Sequence, residues 1–125
     1  MGYYRDLEAW KEAHQLVLAV YRLSGSFPRD ERFGLTAQVR RAAVSVTSNI
    51  AEGSGRRTDP WMLTFLGYAM GSLQEVDSQI LVAKDLEFAP LGAFGDIEER
   101  INRVGRLLSG LRSALERSKK QGPSR

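Results

Sequence analysis

The sequence predicts an all-α protein built as an up-down-up-down four-helix bundle. Four segments carry apolar residues at alternating steps of three and four, the spacing of helices that pack on other helices. Short stretches rich in Gly and Pro separate these segments, and none shows the strict alternation or the clustered β-branched residues of a strand. Short connections between four long helices favour antiparallel neighbours.

The first predicted helix runs from about Asp6 to Ser24 and ends at Gly25-Ser26-Phe27-Pro28. Its apolar stripe consists of Leu7, Trp10, His14, Val17 and Tyr21, widened by Ala13, Leu16 and Val20. His14 is the only histidine, and a lone histidine cannot supply the ligand set of a typical zinc site. We expect His14 to be a hydrogen-bonded core or groove residue, and we expect no metal or other cofactor.

The second predicted helix begins near Asp30 or Leu35 and stops at Gly53-Ser54-Gly55, where glycine offers the left-handed conformation of a helix C-cap. Its packing stripe consists of Leu35, Val39, Ala42, Val46, Asn49 and Gly53. Asn49 is polar, and it must find a partner on this stripe because burying an unpaired amide is costly.

The third predicted helix follows Thr58-Asp59-Pro60, an N-cap with proline in the first turn. Its stripe consists of Met62, Leu66, Ala69, Leu73, Val76, Ile80 and Ala83. Gly67 and Gly71 form a G-x-x-x-G pair, which predicts close packing of this helix on the second.

The fourth predicted helix starts between Pro90 and Asp96, because Pro90, Gly92 and Gly95 interrupt the pattern there. The stripe consists of Ile97, Ile101, Val104, Leu108, Leu111 and Leu115. Residues 1–118 are predicted to form a single four-helix bundle domain, and residues 119–125 a basic, disordered tail.

Composition narrows the classes of protein to which the chain can belong. The chain has 125 residues, 42% of them hydrophobic, which suits one domain whose core needs no metal or disulfide. The absence of cysteine excludes thiolate metal sites, disulfides and cysteine nucleophiles. Since no apolar run is long enough for a signal sequence or a membrane span, we expect a cytoplasmic protein without a membrane partner.

Charge is distributed unevenly along the chain, whose net charge is +3. Residues 59–99 have a net charge of −7, and residues 100–125 a net charge of +7. In one interpretation the acidic third helix balances the basic fourth helix within the bundle or an oligomer. In the other, the basic surface binds a polyanion.

Several motifs, spread from the first to the third predicted helix, resemble a known family. They are Arg5-Asp6-Leu7-Glu8-Ala9-Trp10, Phe27-Pro28, Glu31-Arg32-Phe33-Gly34-Leu35, Arg40-Arg41-Ala42, Asn49-Ile50-Ala51-Glu52-Gly53, Gly55-Arg56-Arg57 and Gly71-Ser72-Leu73-Gln74-Glu75. Up to about Leu86 the chain resembles the four-helix bundle proteins, also known as the 23S rRNA intervening-sequence proteins. Beyond Leu86 only the helical pattern continues.

The resemblance implies a left-handed up-and-down bundle that assembles as a homopentamer, and most members of the family have no assigned activity. A more distant similarity is to the accessory protein of diversity-generating retroelements. That protein joins a reverse transcriptase and binds nucleic acid through a basic surface.

The polar residues of the second helix are predicted to specify packing or assembly. Asn49 and Glu52 are one turn apart, and a polar residue on a packing stripe often sets register or oligomeric state. If Glu52 is buried it needs a cation such as Arg41, Arg57 or an arginine of another subunit. A parallel polar stripe, which has the character of an interface, consists of Gln38, Arg41, Ser45, Ser48 and Glu52.

A set of basic residues is the candidate for nucleic-acid binding. The set is Arg56, Arg57, Arg100, Arg103, Arg106, Arg117, Lys119 and Lys120. Because no exposed aromatic residues are interleaved with these cations, binding should be sequence-tolerant and lost at high salt.

Three functions are compatible with these features. The first is a non-enzymatic homo-oligomeric scaffold that binds RNA or DNA non-specifically. The alternative is an accessory subunit that binds a reverse transcriptase or another protein. The last is a small bundle enzyme that uses His14 and Glu52, although nothing in the sequence marks a nucleophile or an oxyanion site.

Overall fold

A computed structural model of the protein describes residues 3–56 and 58–121. Across these ranges the chain forms five α-helices and no strand, which confirms the predicted all-α class. The helices are α1 (Tyr3–Asp6), α2 (Glu8–Ser24), α3 (Leu35–Gly55), α4 (Asp59–Asp85) and α5 (Gly95–Gln121). Two 3-10 turns, Arg29–Glu31 and Leu91–Ala93, lie in the connections before α3 and α5. Helices α2 to α5 correspond to the four predicted helices.

The four long helices pack around one apolar core. Each contacts the next along the chain, and α5 also contacts α2. Side chains from all four helices form a single buried cluster, and the largest of them is Phe94, just before α5. A ring of this size gains several kcal/mol from leaving water, roughly 2–3 kcal/mol at 25 cal/mol per Å².

The buried face of α2 is rotated relative to the prediction. It is centred on Ala13, Leu16 and Val20, which are fully buried, whereas His14 is half-buried and Tyr21 is exposed. The reason is that α2 packs against both α3 and α5, so its buried face is set between these two neighbours. The residues that the sequence pattern placed at the centre therefore lie at one edge.

The start of α3 at Leu35 is set by a local cap. The Glu31 carboxylate accepts a hydrogen bond from the Leu35 backbone N–H, with Oε1 3.0 Å from the nitrogen. Gly34 leaves room for this contact, because a Cβ added at Gly34 would lie 2.8 Å from Glu31 Oε1. A carboxylate at a helix N-terminus also complements the helix dipole. Of the two predicted starting points, the structure selects the second.

The glycines at the end of α3 do not have the predicted role. Gly53 is buried inside the helix, which continues to Gly55 and ends at Arg56 in a right-handed conformation with φ −84°. A Cβ added at Gly53 would lie 2.9 Å from both Phe65 Cβ and Met62 Sδ. Gly53 is therefore needed for the close approach of α4, and the predicted left-handed C-cap is wrong.

The close packing of α3 on α4 does not involve the G-x-x-x-G pair. Gly67 and Gly71 are exposed, and a Cβ added at either would meet no atom of the described residues within 4 Å. The prediction that these two glycines admit the second helix is thus wrong. Their periodicity places them on the face of α4 opposite Leu66 and Ala69, which point into the core.

Helix α4 ends with a non-glycine residue in the left-handed region. Glu87 has φ 59°, its N–H donates to Lys84 O at 3.0 Å, and the Phe88 N–H donates to Ala83 O at 2.9 Å. These two hydrogen bonds form a Schellman motif, in which glycine is the preferred residue at the position of Glu87.

Glu87→Gly should stabilise the protein by about 0.5–1 kcal/mol, because glycine relieves the strain of a side chain at positive φ. The greater freedom of glycine in the unfolded chain limits the gain. Urea denaturation followed by circular dichroism measures it. Glu99→Gly, at an exposed position inside α5, is the control and should destabilise by up to about 1 kcal/mol. A loss of stability in Glu87→Gly would contradict the strain argument.

Helix α5 begins at Gly95, inside the predicted window, and continues to Gln121. It continues past the predicted domain boundary at residue 118. The Lys and Gln residues that follow this boundary are good helix formers. Residues 122–125, the rest of the predicted basic tail, lie outside the described residues. In the described part of the chain, no helix has the length and apolarity needed to cross a membrane.

Candidate functional sites

A chain of polar side chains joins α3 to α4. Asn49 Nδ2 donates to the Ser45 carbonyl oxygen at 2.9 Å and to Ser45 Oγ at 3.1 Å. Ser45 Oγ is in turn 2.8 Å from Ser72 Oγ on α4, and Ser72 is buried. The Asn49 amide thus finds its partners one turn back on its own helix and reaches α4 through Ser45. This arrangement aligns the two helices along their axes, because sliding one past the other would break the Ser45–Ser72 hydrogen bond.

Glu52 is an exposed residue with a cationic partner. Its carboxylate accepts a hydrogen bond from Arg56 Nε at 3.0 Å, and Arg56 Nη2 lies 2.9 Å from the same oxygen. The Glu52 side chain is 51% exposed. It is therefore not a buried carboxylate, and it does not require a cation for burial. Among the described residues the partner is Arg56, one turn on, rather than Arg41. An exposed pair of this spacing contributes only about 0.3–0.5 kcal/mol to stability.

Arg56 also contacts aromatic side chains of α4. Its guanidinium carbon lies 5.0 Å from the ring centroid of Trp61 and 5.4 Å from that of Phe65. The Phe65 ring packs edge-on against Tyr68 at 5.5 Å, and Trp61 and Tyr68 are about half exposed. We call Arg56, Trp61, Phe65 and Tyr68 the aromatic patch. It corrects the expectation that no aromatic residue accompanies the basic residues.

The aromatic patch had a signal in the sequence that was missed. Residues 61, 65 and 68 follow steps of four and three, and each precedes a residue of the packing stripe of α4 by one. The sequence therefore contains a second periodic row on this helix, made of aromatic residues. Only the tertiary structure places this row beside the end of α3.

Arg41 lies in the exposed polar stripe of α3. Together with Gln38, Glu75 and Gln79 it lines an open polar groove of about 270 Å³ between α3 and α4. The Oε1 atom of Gln79 is buried there. Three residues of the predicted polar stripe line the groove, Gln38, Arg41 and Ser45, but neither Asn49 nor Glu52 does.

The structure does not bring His14 and Glu52 together. His14 is half-buried on α2, and its ring stacks on Trp10 with centroids 4.9 Å apart and planes 12° apart. Glu52 is two helical turns after Ser45, so it lies on the side of α3 that faces α4. His14 is on α2, which packs against a different side of α3, where Arg40 hydrogen-bonds Ser24. The geometry therefore provides no acid/base pair from these two residues.

The arginines of α5 divide into paired and unpaired groups. Arg100 Nε lies 2.9 Å from Asp96 Oδ2, and Arg103 Nη1 lies 3.4 Å from Glu12 Oε1 on α2. Arg106 and Arg117 are exposed, and neither takes part in the ion pairs of the described residues.

The acids of α4 do not neutralise these arginines. The one ion pair between α4 and α5 in the described part of the chain joins Lys84 to Glu98 at 3.0 Å, with the charges reversed from the sequence expectation. The candidate residues Arg57, Lys119 and Lys120 have side chains outside the described residues.

No curated protein matches the chain. The family model described as 23S rRNA-intervening sequence protein matches residues 5–110, which extends well beyond Leu86 into α5. The match includes Asn49, Glu52 and Arg56 as well as the first half of α5. Since it covers most of the chain and agrees with the observed all-α fold, the protein belongs to the 23S rRNA-intervening sequence protein family.

Proposed function

We propose that the protein is a non-enzymatic, homo-oligomeric scaffold of the cytoplasm that binds RNA or DNA non-specifically through a basic surface. Its subunit is a left-handed up-down-up-down four-helix bundle, and its assembly is a homopentamer. The topology is supported by the contacts of each long helix with the next, because short connections between adjacent helices favour antiparallel packing. Left-handedness and the subunit number rest on the family resemblance.

Self-association is supported by the outer face of α4, the face on which Gly67 and Gly71 lie. Gly67 and Gly71 lie in the helix interior, where glycine costs about 1 kcal/mol relative to alanine. Among the described residues nothing lies within 4 Å of a Cβ added at either position, so their small size serves no contact seen within the subunit. Tyr68 beside them is 57% exposed. A second copy packed on this face would bury the tyrosine and use the space above the glycines.

Gly71→Gln should lower the mass of the assembly while stabilising the isolated subunit by about 0.5–1 kcal/mol, because glutamine is a better helix former. Size exclusion with light scattering measures the mass, and denaturation at a protein concentration low enough for every variant to be monomeric measures the stability of the subunit. Gly110→Gln is the matched control, since Gly110 is an exposed glycine inside α5. It should stabilise the subunit equally and leave the mass unchanged. Equal masses for both variants would refute α4 as the interface.

Nucleic-acid binding is supported by the exposed cations and by the aromatic patch. Arg106 and Arg117 have no carboxylate partner among the described residues, so binding a phosphate breaks no ion pair there. On α4, beside the end of α3, Trp61 and Tyr68 are about half exposed next to Arg56, and unpaired bases stack on exposed aromatic rings. In a ring of subunits each cluster is repeated, so weak contacts add by avidity.

The double variant Arg106→Gln with Arg117→Gln should weaken binding of single-stranded RNA and reduce its dependence on salt. Each lost phosphate contact lowers the slope of log K against log salt by about 0.7. Mobility shift across a salt series measures both. Lys11→Gln with Arg22→Gln removes two charges from exposed positions of α2 and is the matched control. Binding that is independent of salt, or absent at low salt, would reject the nucleic-acid proposal.

The alternative is an accessory subunit for a reverse transcriptase or another protein. Exposed apolar side chains in and next to the helix connections favour it, since Phe33 is 86% exposed and Leu91 71% exposed. A protein that binds no RNA alone but co-elutes with a reverse transcriptase encoded nearby would select this function. The enzyme hypothesis stays last because His14 and Glu52 lie on different sides of α3.

A further inference from the structure

A pocket lined by three arginines lies where α2 is connected to α3. It has a volume of about 250 Å³, and Arg29, Arg32 and Arg40 line it together with Ser24 and Thr36. None of these residues belongs to the basic surface proposed above. Arg40 and Arg56 are sixteen residues apart on α3, which is about 24 Å along the helix axis. The pocket is therefore a separate feature of the molecule.

Arg40 is held in place before any ligand arrives. Its Nε donates to Ser24 Oγ at 2.7 Å, and its Nη2 donates to the Tyr21 carbonyl oxygen at 3.2 Å. The guanidinium carbon also lies 4.6 Å from the centroid of the Tyr21 ring. These contacts restrict the side chain, so a ligand bound by Arg40 would lose little further rotamer entropy. The Nη1 group takes part in none of these hydrogen bonds.

In the described part of the chain, the three positive charges have no carboxylate in ion-pair contact. The ion pairs of the described residues involve none of Arg29, Arg32 and Arg40. Of the two acids in the same turn, Glu31 accepts a hydrogen bond from the Leu35 N–H, and Asp30 is exposed. Like charges around one cavity repel each other, and an anion in the cavity would relieve that repulsion.

We propose that this pocket binds a terminal phosphate monoester, carried either by a free nucleotide or by the 5′ end of an oligonucleotide. Guanidinium groups form paired hydrogen bonds with phosphate oxygens. The hydroxyl of Thr36 adds a polar group at the wall, while that of Ser24 holds Arg40. A monoester is close to a dianion near neutral pH, whereas a carboxylate or an internal phosphodiester carries one charge. The volume is below the usual range for a whole drug-sized ligand, which suits a phosphate group with part of its sugar.

Titration of the protein with AMP, inorganic phosphate and adenosine, followed by calorimetry and by NMR shifts of residues 24–40, tests the pocket. AMP and phosphate should bind saturably and shift these resonances, while adenosine and an equal ionic strength of potassium chloride should not. Absence of saturable AMP binding, or equal shifts with potassium chloride, would overturn the proposal.

The double variant Arg29→Gln with Arg32→Gln should weaken AMP binding at least about tenfold, as expected for loss of two charge-assisted contacts. Both side chains are exposed, so the melting temperature should stay near that of the unaltered protein. Arg106→Gln with Arg117→Gln removes the same charge from α5 and should leave AMP binding unchanged. Equal weakening by both double variants would show non-specific attraction and refute the pocket, whereas the RNA proposal is judged by the α5 variant alone.

Two RNAs of one sequence, with a 5′-phosphate or a 5′-hydroxyl, distinguish the sources of the phosphate. A preference for the phosphorylated RNA that disappears in the Arg29 and Arg32 variant identifies a nucleic-acid end. Equal binding of the two RNAs, with AMP binding still dependent on Arg29 and Arg32, identifies a free nucleotide. Either result supports a phosphate monoester site.

Discussion

Phe94→Ala should lower the free energy of unfolding by about 3–5 kcal/mol, the usual cost of removing a buried phenylalanine ring from a core. Phe94 is 0% exposed and is the largest of the fully buried side chains. It lies between the 3-10 turn Leu91–Ala93 and the first residue of α5, so its ring anchors the last connection to the core. Urea denaturation at fixed protein concentration measures the loss.

Phe33→Ala is the matched control for this substitution. Phe33 is 86% exposed in the connection before α3, so the same change of side chain should alter stability by less than about 0.5 kcal/mol. A loss below about 1 kcal/mol in Phe94→Ala would contradict the burial of this ring, given the range for such substitutions.

Gly53→Ala should destabilise the protein by about 1–3 kcal/mol, the range for overpacking a well-filled interface. The new methyl group would lie 2.9 Å from Phe65 Cβ, an atom that cannot move without its backbone. Helices α3 and α4 would therefore have to separate, and the better helix propensity of alanine offsets only part of the cost. The Trp61 fluorescence should change as well, because Arg56 and Trp61 are at this junction.

Gly55→Ala, two residues further along the same helix, is the control. A Cβ at Gly55 would meet nothing within 4 Å, so this variant should be as stable as the unaltered protein or more stable by up to about 1 kcal/mol. If Gly53→Ala were at least as stable as Gly55→Ala, the inference that α4 approaches α3 closely at Gly53 would be wrong.

Features of the candidate sites that lie within one helix can be predicted from the sequence, whereas contacts that join two helices cannot. The polarity of Asn49 on a packing stripe is visible in the sequence, and so is the cluster of arginines in the fourth helix. That Ser45 reaches Ser72, or that Arg56 stacks on Trp61, depends on contacts between two helices. Such contacts depend on the angle and offset of the helices, which no single stretch of sequence contains.

Glycine shows the same division clearly. Gly53 is on the packing stripe of its helix and Gly67 and Gly71 are off the stripe of theirs, yet the sequence predicted a C-cap at Gly53 and close packing at Gly67 and Gly71. The neighbour that each glycine faces decides its role. Gly53 faces Phe65, whereas among the described residues Gly67 and Gly71 face no atom within 4 Å.

The sequence by itself determined the all-α class and the location of the four long helices, because apolar periodicity and helix-ending residues are local properties of the chain. The tertiary structure decided which face of α2 is buried, because that face is set by two neighbours at once. It also decided that Arg29, Arg32 and Arg40 share a pocket and that Arg56 joins an aromatic patch. Whether side chains of different helices and connections share a surface is decided only when the helices pack. The functional proposals depend on these contacts.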